Sequence, residues 1–162
     1  MKKYFQTMKH TFLKGSAVAA IPMNLRICRR RFGIPMRISS FSIPLGATIN
    51  MVGNCICLVI SSLYFTHVCG VALDMEGLLI LFFLVLVLSL GAPIAPGTLI
   101  LCLITLLAQL GIDTGIISLI IGINFILEML LGMVNAFGDV IVALIISHRE
   151  GTLNRKIYNQ KM

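Results

Sequence analysis

Apolar residues fill three long stretches of this chain, at positions 38–68, 78–110 and 116–147, and a shorter one at 15–21, while polar and charged residues gather at the two ends and in the short links between stretches. The stretch 78–110 organises the rest. It is interrupted at its middle by Gly91-Ala-Pro-Ile-Ala-Pro-Gly97, where two prolines remove amide donors and crowd the preceding turn and two glycines free the backbone. The pattern predicts two helices, 78–90 and 98–110. At about 13 residues each they reach roughly 20 Å, short of a hydrocarbon core of about 30 Å. A run that enters a bilayer, breaks at depth and returns is a re-entrant hairpin, and its irregular backbone survives only where protein or a polar cavity satisfies it. The tip is therefore a place for a ligand.

Charge gives an independent count of crossings. Residues 1–37 carry nine Lys and Arg and no acid, and the tail 148–162 adds Arg149, Arg155, Lys156 and Lys161 against Glu150. The links on either side of the broken stretch hold Asp74, Glu76 and Asp113 with no Lys or Arg. Both ends read as cytoplasmic. A span over 38–68, a hairpin over 78–110 that returns to the outside and a span over 116–147 satisfy this distribution; a full crossing by 78–110 would strand the basic tail outside.

Composition agrees with an integral, multi-pass membrane chain, and a plasma or inner membrane is the expected location. Of 162 residues, 58% are hydrophobic and 12% charged, which excludes an ordinary soluble domain. The net charge of +7 sits at the ends, so it argues for orientation and for membrane lipid as a partner, and not for nucleic acid. Cys28, Cys55, Cys57, Cys69 and Cys102 form no CxxC pair and read as small apolar fillers. No nucleophile-base, metalloprotease or phosphate-loop pattern is present, so no enzyme is expected. Segment 1–37 reads as a basic cytoplasmic segment in which 15–21, too short to span and ended by Pro22, is the returning arm of another hairpin. A signal peptide is the alternative, although Lys14 interrupts its apolar core.

The span 38–68 carries Pro44, Gly46, Thr48, Asn50, Gly53 and Asn54 in its first half. Two readings are open for this load of helix breakers and amides: unwound carbonyls near 46–50 that coordinate a cation, or close helix packing through Gly46, Ala47 and Gly53 with Asn50 bonding a neighbouring helix. The last span has the sharper pattern. Asn124, Glu128, Asn135 and Asp139 are spaced 4, 7 and 4 apart, which at about 100° per residue puts them in a wedge of about 60°. Polar groups at bilayer depth are costly, so such a stripe marks a pocket by default; protonated acids bonded between helices are the competing reading.

These motifs together resemble the dicarboxylate/amino-acid:cation symporter family, with its glutamate-transporter-like fold. Pro44-Leu-Gly-Ala-Thr-Ile-Asn-Met51 matches the family's unwound segment. Ser89-Leu-Gly-Ala-Pro-Ile-Ala-Pro-Gly97 matches its second hairpin tip, Met133-Val-Asn135 with Gly138-Asp139 matches its final helix, and Ala20-Ile-Pro-Met-Asn-Leu-Arg26 matches the exit of its first hairpin. The fold implied is all-α and integral to the membrane: two full spanning helices, one partly unwound, with a re-entrant helical hairpin and the returning arm of another. That is the transport-domain core of an elevator symporter, and the family oligomer is a trimer.

Function and site residues follow from the resemblance. The implied activity is sodium-coupled symport of an amino acid or dicarboxylate, with sodium ions and no organic cofactor. One sodium site corresponds to Gly46, Asn50, Asn135 and Asp139, and a second to carbonyls of Thr48, Ser89, Leu90 and Ala92. The third family site needs an aspartate where this chain has Val52. The substrate positions correspond to Ser16, Asn54, Ala95, Glu128, Leu131 and Asn135. Glu128 is placed to receive a substrate amine, whereas Leu131 replaces the arginine that binds a side-chain carboxylate, and leucine cannot make that bidentate contact. A neutral amino acid is therefore expected before an acidic one.

Relative to the family, the chain begins inside the first hairpin. It reads as the N-terminally truncated C-terminal part of a symporter, not competent alone, and its expected complement is a separately encoded N-terminal half or scaffold. The alternative is a non-transporting membrane fragment or accessory subunit.

Overall fold

In the computed structural model, residues 5–14, 16–91, 95 and 97–160 are described, and among them every regular element is helical. The order is α1 (Phe5–Lys14), a 3₁₀ turn at Val18–Ala20 leading into α2 (Ile21–Ile27), a π turn at Cys28–Phe32, then α3 (Met36–Ile49), α4 (Val52–Val68), α5 (Met75–Gly91) and α6 (Thr98–Gln109). A second 3₁₀ turn, Thr114–Ile117, precedes α7 (Ser118–Ile121), α8 (Asn124–Arg149) and α9 (Arg155–Asn159). The chain divides into two compact bodies, one of residues 1–50 and 132–162, the other of residues 51–131.

Local chemistry sets the element ends. Gly33 stops the π turn in the left-handed region, at φ 69°, where glycine pays no Cβ penalty. Pro35, extended at ψ 150°, precedes α3. The 33 residues Met36–Val68 are apolar enough to cross a membrane, as are the 26 of α8. The first run is interrupted at Asn50 (φ −89°, ψ 67°) and Met51 (φ −94°, ψ 43°). The opening is narrower than 46–50: Gly46 lies in the helix, and its carbonyl accepts from the Asn50 amide at 2.7 Å.

The broken stretch forms α5 and α6, of 17 and 12 residues. The first starts at Met75, before the apolar run, because the Asp74 carboxylate accepts the amide of Gly77 at 2.8 Å, as an N-capping side chain does. The last span also differs from the expected 116–147. Asp113 caps the 3₁₀ turn through the amide of Gly115, a turn at residues 122 and 123 follows α7, and the long helix begins only at Asn124.

Each body has its own core. In the first, Ile27, Cys28, Ile34, Ile38, Ile43, Val140 and Ala143 pack together, and Ala17, Ala20 and Ala136 form a separate small cluster. In the second, Leu58 and Phe65 of α4 meet Leu81 and Val85 of α5 and Leu99, Leu103, Leu106 and Leu107 of α6. Large apolar side chains also cover the outside, Phe83 at 62% and Val87 at 66% exposure among them, as they do in chains whose solvent is lipid.

Candidate cation site

The site residues that the first body brings together come from α3 and α8. Asn50, at the C-terminal end of α3, donates its side-chain amide to Asp139 Oδ1 at 2.9 Å. Two glycines make room for this pair. A Cβ at Gly46 would lie 2.5 Å from Asp139 Oδ1 and 2.8 Å from its Cγ, and a Cβ at Gly138 would lie 2.7 Å from Asn50 Nδ2. Asp139 is 1% exposed, and its Oδ2 is buried with no hydrogen-bond partner among the described residues. A buried carboxylate oxygen left in that state is costly.

Asn135 precedes Asp139 by one helical turn and is 3% exposed. Beside it, Asn24 of α2 is fully buried and donates its Nδ2 to the carbonyl of Ala136 at 3.0 Å. In the sequence Asn24 stands as one amide after Pro22, in the basic segment that follows the short apolar arm, without a stripe to join. The open atom here is a carboxylate oxygen, a hard donor whose chemistry suits an alkali or alkaline-earth cation more than a thiophilic metal. A cavity of about 630 Å³ opens beside Gly46, Asn50 and Asp139, walled by Phe41, Leu45, Ile49, Val142 and Ile146, with Arg37 and Glu150 also on its lining.

In the first body, Thr48 is exposed and its hydroxyl donates to Leu45 O at 2.7 Å, while Ser16 Oγ accepts from the Ala19 amide at 3.4 Å. In the second, Ser89 is buried, donates to Leu86 O and accepts from Cys55 Sγ at 2.9 Å. Leu90 is 56% exposed, and Ala92 lies outside the described residues. Ala95 is exposed; its carbonyl accepts from the hydroxyl of Thr98 at 2.7 Å. Asn54 is half-buried in α4, and Leu131 packs on the second core.

Glu128 has a partner that the sequence did not indicate. Its Oε1 accepts the amide of Gly97 at 2.7 Å, and Gly97, at φ 85°, is the residue that opens α6. The carboxylate thus satisfies one of the orphan donors at a helix start, where negative charge is favoured. Asn124 and Glu128 fall in the second body and Asn135 and Asp139 in the first, so the stripe on α8 is divided between them.

Every regular element among the described residues is helical, two runs are apolar enough to cross a membrane, and the second of them buries a carboxylate. The profile of the Sodium:dicarboxylate symporter family matches residues 1–149, and the chain belongs to that family. It is similar to the putative sodium-dependent excitatory amino acid transporter glt-4 of Caenorhabditis elegans, 28% identical over 141 residues, which are 87% of this chain and 28% of that protein. Excitatory amino acid transporter 2 of Homo sapiens is 28% identical over 133 residues, 82% of this chain and 23% of the relative. The proton/sodium-glutamate symport protein of Bacillus subtilis (strain 168) is 31% identical over 124 residues, 76% and 29% respectively. The chain spans about a quarter of the length of these relatives.

Proposed function

We propose that this chain provides the cation- and substrate-binding part of a sodium-coupled amino-acid symporter. The observation that carries the reading is the buried Asp139 carboxylate, held by Asn50 against Gly46 with one oxygen unpartnered. A sodium ion at that oxygen would draw further donors from the carbonyl of Gly46 and from Asn50 and Asn135. The second set, Thr48, Ser89, Leu90 and Ala92, is proposed on family resemblance. Membership of a sodium symporter family supports sodium as the coupled ion and a small amino acid or dicarboxylate as cargo.

The cargo is a neutral amino acid in this reading. Glu128 supplies a carboxylate for its amine, and Leu131 supplies apolar surface where a side-chain carboxylate would need an arginine. The α5 and α6 pair acts as the re-entrant hairpin over the substrate, both ends lie in the cytoplasm, and the chain works with a scaffold within a trimer. The test is ligand-induced stabilisation of the purified chain in sodium buffer, with alanine, serine, leucine, aspartate and glutamate compared at equal concentration. Neutral amino acids are expected to raise the unfolding temperature and acidic ones to leave it unchanged. Stabilisation by aspartate or glutamate alone would overturn the substrate assignment.

A further inference from the structure

The π turn Cys28–Phe32 holds three consecutive arginines, Arg29, Arg30 and Arg31, and α9 begins with Arg155 and Lys156. More than a hundred residues separate the two segments in sequence, yet they pack together within the first body. The Asn154 amide donates to the carbonyl of Gly33 at 2.9 Å. The approach is tight enough that a Cβ on Gly33 would lie 2.5 Å from the Asn154 carbonyl oxygen and 3.2 Å from Ile157 Cβ. The side chain of Asn154 accepts the amides of Lys156 and Ile157, and Leu153 packs against the core that contains Ile27, Cys28 and Ile34. The tail is thus pinned onto the π turn, leaving Arg29, Arg30, Arg155 and Lys156 exposed.

The position of this joint surface identifies what it meets. The π turn ends four residues before α3 starts, and α9 starts six residues after α8 ends. Arg37, at the start of α3, and Ile146 and Glu150, at the end of α8, line the same cavity, so these helix ends lie on one side of the body. Residues just beyond the ends of two membrane-capable helices lie at the depth of lipid headgroups. Within residues 1–37 and 148–162 the single acid is Glu150. Guanidinium groups at that depth suit phosphate oxygens, which they can bind bidentately.

We propose that Arg29 and Arg30 of the π turn together with Arg155 and Lys156 of α9 form one binding surface for the anionic phospholipid headgroups of the adjoining leaflet. The junction of Gly33 with Asn154 builds this surface; neither segment presents it alone. The inference is independent of sodium and of the transported substrate.

The test uses the whole chain in a neutral detergent, titrated with short-chain phosphatidylglycerol, with phosphatidylcholine of the same chain length, and with inorganic phosphate. The reading is the concentration that gives half the maximal rise in unfolding temperature. Phosphatidylglycerol is expected to stabilise the protein, phosphatidylcholine and phosphate to have little effect, and added salt to weaken the response. The double variants R29Q/R30Q and R155Q/K156Q should each raise the half-maximal concentration on the order of tenfold. Asn154→Pro removes the amide that ties the tail to Gly33 without removing a charge, and its position in the tail spares the membrane helices; it should weaken lipid binding to a similar extent. Equal stabilisation by phosphatidylcholine or by phosphate would overturn the assignment to anionic lipid. Unchanged lipid affinity in either double variant, or in the Asn154→Pro variant, would overturn the joint surface.

Discussion

The side-chain amide of Asn50 lies 2.9 Å from Oδ1 of Asp139, 89 residues further along the chain. Asn50 sits where α3 opens, and Asp139 sits in the middle of the longest helix, so the hydrogen bond fixes the carboxylate beside the one irregular point of the first apolar run. The second carboxylate oxygen is buried without a protein partner among the described residues. Asn50→Leu keeps the approximate volume and removes the donor, leaving both oxygens unpaired. It should destabilise the protein by about 1–3 kcal/mol, read as a lower denaturation midpoint, whereas Asn50→Gln should recover part of the loss.

Gly46 makes the close approach possible. Its substitution by alanine places a methyl group 2.5 Å from Asp139 Oδ1, an overlap that backbone or carboxylate must relieve at about 1–3 kcal/mol. The damage should be coupled to the carboxylate. Gly46→Ala should therefore cost less in an Asp139→Gly background than in the native one, a non-additivity that a double-mutant cycle measures. Additive effects would place the strain elsewhere.

The contact of Glu128 with the Gly97 amide predicts a local effect at the start of α6. Glu128→Ala should release that amide and raise hydrogen exchange at Gly97 and Thr98, with a stability loss of about 1 kcal/mol, as for other lost caps. Glu128→Gln keeps an acceptor oxygen and should show the smaller change. Equal exchange in the native protein and both variants would show that the carboxylate does not hold the helix start.

Two cysteines should differ in reactivity. Burial pushes the Cys28 thiol up from 9.0 to about 12, the charge of Asp139 adding to the effect, while Cys69 is exposed. The thiolate is the reacting form. At pH 8 maleimide should label Cys69 and leave Cys28 unmodified until the protein unfolds, as peptide mapping of the labelled chain can establish. The same shift gives a pH dependence. Between about 9 and about 12 the folded state retains a proton that the unfolded chain has lost, so this thiol lowers stability as pH rises through that window. Cys28→Ala should flatten the alkaline decline.

Much of the arrangement was legible from pattern alone because apolar length and proline placement act locally. The Pro93 and Pro96 break separated the run at 78–110 into two helices, and α5 and α6 flank it. Helix starts were less legible, since they depend on single side chains: Asp74 begins α5 early, and the turns before Asn124 delay α8. The spacing of Asn135 and Asp139 on α8 was readable as helical periodicity, but the pairing of Asp139 with Asn50 is a long-range contact that no local pattern encodes. Asn24 escaped for the same reason, its partner being the backbone of Ala136. The Glu128 contact was hidden because a carboxylate on a polar stripe suggests a ligand before it suggests a backbone amide.

The most direct test of the account is the sodium dependence of thermal unfolding in detergent, with potassium at equal ionic strength as the control, for the native chain and for Asp139→Asn. A cation that binds only the folded state raises its stability by mass action, by about 2.7 kcal/mol at a hundredfold excess over Kd. A sodium-specific rise in unfolding temperature is expected for the native chain, and its loss in the variant. Equal responses to sodium and potassium, or a sodium response that Asp139→Asn leaves intact, would contradict the assignment of this carboxylate as a sodium ligand.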